Sequence, residues 1–416
     1  TIDGVAAVIE PYADGLAVRV IPAAPIAAQA TVAIGLTWRV VLSSTGGLHG
    51  LLTEQGGVVV WHAWYPELAP YRGGRWLVDP VADLGDPVRA AAHHVVVDLT
   101  LPDGGPLISG GTVIAEQDLP GPTRTVTIAG AYQRNLTLVI GEQWNLAERL
   151  VGSTLVRTWT RPGHQLAGER VLAIAADAMG HLSTTFAPYP YREFEVVDYQ
   201  LGASVGGVES SGLILITGTA FEPFNDPALV LPPESLPAYM LQAVVCHEVA
   251  HQWWYGAVGN DAVAEPWMDE SLTQWTTNWL LDRQFGPAVR RAGWQTDLMT
   301  ALAVPRVKGF TAIDRPITDF ASSMEVGANV YARGAIAYAW LRLEVGDQAF
   351  FALLREWATS KRFQLVDATT WRALMSERLG AEVTERFFTR WITGSGLTDQ
   401  EVVAAAVAAA QGKSKP

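Results

Sequence analysis

Two histidines four residues apart, His247 and His251, are followed after eighteen residues by Glu270, in the stretch HEVAHQWWYGAVGNDAVAEPWMDES. Side chains four apart on a helix project from one face, one turn above the other. The run from Leu236 to Tyr255 is strongly apolar (Met240, Leu241, Val244, Val245, Val249, Trp253, Trp254), which predicts a buried helix that stops at Gly256. A second helix is expected from near Pro266 to about Phe285, and it carries Glu270. On the first helix His247, Glu248 and His251 are nearly the only ionisable groups. Burying them without partners is expensive, so the fold must bring something to them. The plain alternative is a buried helix with two satisfied histidines.

Two imidazoles and one carboxylate are three protein ligands for Zn2+. They leave a fourth position open to water, the arrangement of a catalytic rather than a structural site. One ion per chain is expected. Glu248 directly follows the first histidine, where it reaches that water as a general base. Asp269 points elsewhere on its helix and reads as a cap or supporting group. Gln274, one turn after Glu270, reads either as a partner that fixes the tautomer of a ligating histidine or as a solvated or core-facing residue.

Composition narrows the rest. The chain of 416 residues carries a formal charge of -13, and its lysines are Lys308, Lys361, Lys413 and Lys415. No basic stripe is present, which argues against nucleic acid or anionic lipid as a partner. No apolar run reaches membrane-spanning length. The single cysteine, Cys246, excludes an internal disulfide and reads as a small core residue. Sixteen tryptophans are unusual; many belong to a core, and those near the motif are candidates to line a cleft. The chain starts at Thr1 with no signal peptide, which reads as a trimmed or processed protein; any targeting segment would lie upstream.

Residues 1–162 alternate apolar and polar positions in Leu16-Val18-Val20, Val32-Ile34-Leu36-Trp38-Val40 and Val95-Val97-Leu99-Leu101, separated by turn signals such as Pro102-Asp103-Gly104-Gly105. An antiparallel β-domain is expected there, with His93 and His94 a solvated or hydrogen-bonded pair at a strand start. Composition shifts at Arg161-Pro162-Gly163. Residues 163–411 then read as an α/β domain with trailing helices: a helix over 167–186, strands at Phe194–Val197 and Leu213–Ile216, the two motif helices, and helical spacing from Gly327 onward. Residues 412–416 form a polar tail, expected to be disordered. The fold class is multidomain α+β.

Beyond the motif, Gly206-Gly207-Val208-Glu209-Ser210 lies upstream of His247, and Tyr331-Ala332-Arg333-Gly334 lies downstream. With these segments the chain resembles the aminopeptidase N family of zinc metallopeptidases, gluzincins with the H-E-x-x-H-x18-E pattern. GGVESSGLILI at 206–216 is similar to bacterial envelope-associated members, and WYP at 64–66 and LGDP at 84–87 look like their sheet domain. The resemblance implies a thermolysin-like catalytic domain and peptide substrates with a free N-terminus. It also implies a place in the cell envelope or outside the cell. It further implies that Gly206, Gly207, Val208 and Glu209 bind substrate, Glu209 by holding the α-amine, and that Tyr331 stabilises the tetrahedral intermediate. Val208 and Ser210 depart from the usual methionine and asparagine, Arg333 from lysine, and Ser271 from glycine. The large C-terminal helical domain of many members is not in this sequence, which suggests a more open cleft. Two other readings stand beside this one: a gluzincin endopeptidase, which Val208 and Ser210 favour, and a peptide-binding module that keeps zinc without catalysis, against which Glu248 and Tyr331 argue. Nothing in the sequence fixes the oligomeric state.

Overall fold

The computed structural model describes residues 1–44, 51–80, 84–85, 89, 91–202, 205–304 and 310–413. Its first part is built from strands β1 (Val8–Tyr12), β2 (Ala17–Ile21), β3 (Leu52–Gln55), β4 (Val58–Trp61), β5 (Tyr71–Arg72), β6 (Arg75–Trp76), β7 (His93–Pro102), β8 (Leu107–Ser109), β9 (Thr112–Asp118), β10 (Thr123–Gln133) and β11 (Leu138–Gly141). They form small sheets in the orders β1-β2, β3-β4-β11-β8, β5-β6 and β7-β10-β9. All of these pairs are antiparallel, as the alternating pattern predicts. His93 behaves as expected, with its Nε2 2.8 Å from the Tyr65 hydroxyl.

The strand expected over 32–40 is absent. Only an isolated bridge joins Ile34 to Ile2, and Trp38 and Val40 stay exposed. Alternation makes a strand only where another strand offers its edge, and beyond that bridge the described residues offer none. Asp86 and Pro87 of the LGDP segment, and residues 414–416 of the expected tail, lie outside the described residues. Gly412 and Lys413 close the last helix with amide bonds to Ala409 and Ala408.

The second part opens with the hairpin β12 (Asn145–Val151) and β13 (Thr154–Thr160), then α1 (Gln165–Thr185), β14 (Glu193–Tyr199), β15 (Gly207–Ser210) and β16 (Leu213–Thr217). The strand order is β12-β13-β14-β16-β15, with a parallel centre and one antiparallel strand at each edge. Two parallel neighbours need a crossover, and α1 supplies it between β13 and β14. Its buried residues Val171, Ala175, Ala178, Met179 and Leu182 recur at three- and four-residue spacing on one face. The sheet thus runs across residue 162, where the division between domains is expected from composition. The hairpin before that residue is hydrogen-bonded to β14, so the change in composition marks the turn from β13 into α1.

Helices follow: α2 (Leu236–Ala250), α3 (Trp267–Phe285), α4 (Pro287–Ala303), α5 (Ser323–Val326), α6 (Gly334–Val345), α7 (Asp347–Ser360), α8 (Ala368–Leu379), α9 (Ala381–Arg386) and α10 (Asp399–Ala410). The whole is α+β: antiparallel sheets first, then a mixed sheet covered by helices. The helices share one large core with the sheet, and Trp253, Trp254, Trp267, Trp275 and Trp279 are buried in it. Burying each large apolar side chain is worth about 1.5–3 kcal/mol. These tryptophans therefore hold the helices together rather than line a cleft. Cys246 is likewise buried core, as expected. Among the described residues, no helix is long and apolar enough to cross a membrane.

One buried cation ties the two parts together at the place that matters. Arg134, between β10 and β11, donates to the carbonyls of Tyr255 (2.5 Å), Gly256 (3.2 Å) and Gln364 (2.9 Å). A Cβ on Gly259 would lie 2.3 Å from its Cζ, so glycine is required where the chain passes the guanidinium. The clamp fixes the turn that follows α2.

Candidate metal centre

α2 ends earlier than its apolar run suggests. Regular helix stops at Ala250, and residues 252–257 form a wider turn in which the Gly256 amide bonds to the His251 carbonyl. Trp254 sits at φ −102°, ψ 63°, outside helical values. This swings its carbonyl back toward the motif, 3.1 Å from His251 Nδ1. Wide turns of this kind are frequent at functional sites. The tryptophan pair keeps the turn packed: Trp253 donates to Ala187 O (2.9 Å) and Trp254 to Thr276 Oγ1 on α3 (2.9 Å).

α3 lies against α2 and brings Glu270 to the two rings. His247 Nε2 is 3.1 Å from Glu270 Oε2 and 3.1 Å from His251 Nε2, and His251 Nε2 is 3.4 Å from the same carboxylate oxygen. The opposite ring nitrogens face acceptors: Gln274 Oε1 is 3.2 Å from His247 Nδ1, and Trp254 O is 3.1 Å from His251 Nδ1. Each Nδ1 therefore carries a proton, and Nε2 is the atom turned to the other two ligands, a lone pair whenever the ring is neutral. Two lone pairs and a carboxylate oxygen aimed at one another repel unless a proton or a metal cation stands among them. The three sequence-expected ligands thus converge, and their donor set of two imidazoles and one carboxylate suits zinc. Gln274 takes the partner role, and Asp269 accepts from the Glu270 amide at 2.9 Å in the first turn of α3.

Glu248 is buried beside the rings, and its Oε2 has no hydrogen-bond partner among the described residues. An orphaned acceptor next to a three-ligand cluster is where a water or a substrate group belongs. Gly207 makes room for it: a Cβ there would lie 2.5 Å from Glu248 Cγ, so a side chain at 207 displaces the carboxylate. Gly207 and Glu209 face the cleft together because alternate residues of a strand share a face.

The same alternation corrects one expectation. Val208 points to the other side of β15, into a buried cluster with Tyr199, Leu213 and Leu215, and does not line the cleft. Ser210 also faces away, bonded to Asn135 Oδ1 (2.9 Å) and Thr137 Oγ1 (2.8 Å). Both departures from the family pattern thus sit behind the strand. Gly206, Gly207 and Glu209 do line the cleft, a volume of about 390 Å³ shared with His247, His251 and Glu270. Its far wall, Ser323, Val326 and Gly327 beside Tyr331, is not signalled in the sequence.

Tyr331 lies in a wide turn just before α6. Its hydroxyl donates to Glu270 Oε1 at 2.6 Å, and its ring stacks on His247 with centroids 5.7 Å apart. Ser271, the residue after the third ligand, donates to Val330 O at 2.6 Å and so anchors this turn to α3. A Cβ on Gly334 would lie 1.9 Å from the Ser271 hydroxyl, so the serine fits because residue 334 is glycine. Arg333 is buried, donates to Thr311 O and lies over the Phe310 ring.

The cleft is strongly acidic. Burial pushes the Glu209 carboxyl up to about 8 and raises Glu248 as well. Burial acts the same way on Glu270, but the neighbouring His251 and His247 outweigh it and hold that carboxyl well below its ordinary range. A dication bound among these groups favours the ionised form of every carboxylate.

Residues 172–391 match the Peptidase family M1 domain. Aminopeptidase M1-A of Oryza sativa subsp. japonica is 24% identical over 229 residues, 53% of this chain and 25% of its own length. Aminopeptidase N of Canis lupus familiaris is 25% identical over 210 residues, 47% of this chain and 19% of its own length. The chain thus spans a quarter or less of these relatives. Among solved structures, a mutant M1 zinc metallopeptidase from Deinococcus radiodurans bound to a Tyr-Ser-Ala substrate superposes with a TM-score of 0.63. It is 21% identical, and the match covers 96% of this chain and 84% of that one. Another structure of an M1 zinc metallopeptidase from Deinococcus radiodurans gives a TM-score of 0.56 at 20% identity, covering 84% of this chain and 72% of that one. That likeness is one of fold. The family match spans more than half of the sequence and contains both histidines, Glu248, Glu270 and Tyr331, and so the chain belongs to peptidase family M1.

Proposed function

We propose that this protein is a zinc aminopeptidase that removes the N-terminal residue from peptides. The observation that carries the reading is a single cleft lined by the three-ligand cluster, the unpartnered Glu248 and the buried Glu209. His247, His251 and Glu270 would hold the ion. Zinc supplies a Lewis acid for the scissile carbonyl and lowers the pKa of a water toward ~7.

The chain's own residues do the rest. Glu248 takes the proton of the attacking water on its free carboxylate oxygen and hands it to the leaving amine. Tyr331, released from Glu270 Oε1 when substrate enters, donates to the oxyanion. Glu209 receives the α-ammonium of the substrate. One dication and one ammonium neutralise the three cleft carboxylates, so the pocket's charge selects a free N-terminus. β15 is the edge strand of its sheet, and an edge strand can take an extended peptide as a further strand.

Glu209 gives a direct test. A peptide with a free N-terminus is expected to be cleaved, and its N-acetylated form to resist cleavage. Glu209→Gln should lower kcat/KM for the free peptide by roughly 30-fold, mostly through KM, since an unpaired buried charge costs about 2 kcal/mol or more. Equal cleavage of both peptides by the wild type would point instead to an endopeptidase.

A further inference from the structure

Behind the metal ligands, on the side away from the cleft, stands a carboxylate that the chemistry above does not use. Asp297 on α4 is buried. Its Oδ1 accepts from Gln274 Nε2 at 2.9 Å, and its Oδ2 accepts from Asn278 Nδ2 at 2.5 Å. Gln274 and Asn278 are one turn apart on α3. Gly293, one turn before Asp297 on α4, lets the helices approach: a Cβ there would meet Asn278 Oδ1 at 2.2 Å. Close packing of α3 on α4 is thus built around this carboxylate.

We propose that Asp297 is a positioning residue for the metal centre, acting through Gln274 on His247. The argument turns on which end of an amide faces which neighbour. An ionised carboxylate only accepts hydrogen bonds. It therefore selects the NH2 end of Gln274, and the carbonyl end must face His247 Nδ1, where it stands at 3.2 Å. That acceptor keeps the His247 proton on Nδ1 and leaves Nε2 as a lone pair aimed at the ion. Without Asp297 the amide is free to turn over, set a donor against the ring, and favour the tautomer that cannot bind metal. Thr277 Oγ1, 3.4 Å from His247 Nδ1, is a longer substitute acceptor because its own proton is given to Thr273 O. It limits the loss to the lower part of the range for such supporting groups, about tenfold in metal affinity.

The inference rests on the zinc reading of the site, and the test separates the two. Zn2+ affinity of the full chain is measured by competition with a chromophoric chelator at pH 8, above the value of about 7 to which burial pushes the Asp297 carboxyl. Thermal melts of the zinc-stripped proteins run alongside. Asp297→Leu and Gln274→Leu are each expected to weaken Zn2+ binding about tenfold. The double variant should be no worse than either, because both act through one hydrogen bond. Asp297→Asn should recover near wild-type affinity, since its carbonyl can still accept from Gln274 while the Asn278 amide, whose Oδ1 has no partner among the described residues, turns over to accept from its NH2. Gln274→Glu with Asp297→Asn exchanges the amide and the carboxylate but keeps an acceptor on Nδ1, and should hold zinc at least as tightly as the wild type. A merely structural role would lower the melting temperature and leave Zn2+ affinity unchanged. Wild-type affinity in Asp297→Leu, or losses that multiply in the double variant, overturns the inference. If Asp297→Leu does not fold, loss of zinc by the exchanged pair does so. A wild-type protein that binds no Zn2+ overturns the site reading itself.

Discussion

Glu248→Gln is expected to keep its zinc and lose turnover by roughly a thousand- to ten-thousand-fold, the upper part of the range for removing a general base. The substitution is nearly isosteric, so it leaves the space bounded by Gly207 filled as before. It touches none of the three ligands, whose convergence is set by α2, α3 and the Trp254 carbonyl. What changes is one atom. The unpartnered carboxylate oxygen becomes an NH2 group, which donates and cannot take a proton from water. Steady-state kcat on an amino-acid amide, with zinc measured on the same sample, checks this. KM should move little, because the carboxylate acts on the reacting atoms rather than on the bound substrate.

Tyr331→Phe is the second large effect. Removing one donor to a developing oxyanion costs about 3–4 kcal/mol, a loss of roughly a hundred- to a thousand-fold in kcat. The ring stays in place, since stacking on His247 does not involve the hydroxyl. The bond to Glu270 Oε1 is lost, but Oε2 of that carboxylate still faces the rings, so zinc should be retained. A fall in kcat with KM nearly unchanged marks a contact made in the transition state. A rise in KM alone would place the hydroxyl on the ground-state substrate instead.

Much of this site is legible in the chain before any coordinates. His247, His251 and Glu248 follow from helical spacing, which also places Gln274 one turn after Glu270 but leaves open whether it meets a histidine, a choice that the structure makes. These relations are local, and the period of a helix transmits them. The helix end is less legible. The apolar run continues to Tyr255, yet regular helix stops at Ala250, because Arg134 from the preceding strands holds the carbonyls beyond it. Val208 shows a different limit. A motif names neighbouring positions as one unit, but a strand sends alternate side chains to opposite faces, so Glu209 reaches the cleft and Val208 does not. The expected strand over 32–40 fails because pairing is a property of two segments and the pattern describes only one. Asp297 and the close approach of Gly207 to Glu248 carry no local signal at all, since each depends on packing between elements distant in sequence.

The most direct test is metal content. Wild-type protein and Glu248→Gln, reloaded with Zn2+ and dialysed, are expected to carry one zinc per chain by elemental mass spectrometry, while His251→Ala and Glu270→Ala carry almost none. Full zinc occupancy in both ligand variants, or none in the reloaded wild type, would contradict a centre built from His247, His251 and Glu270.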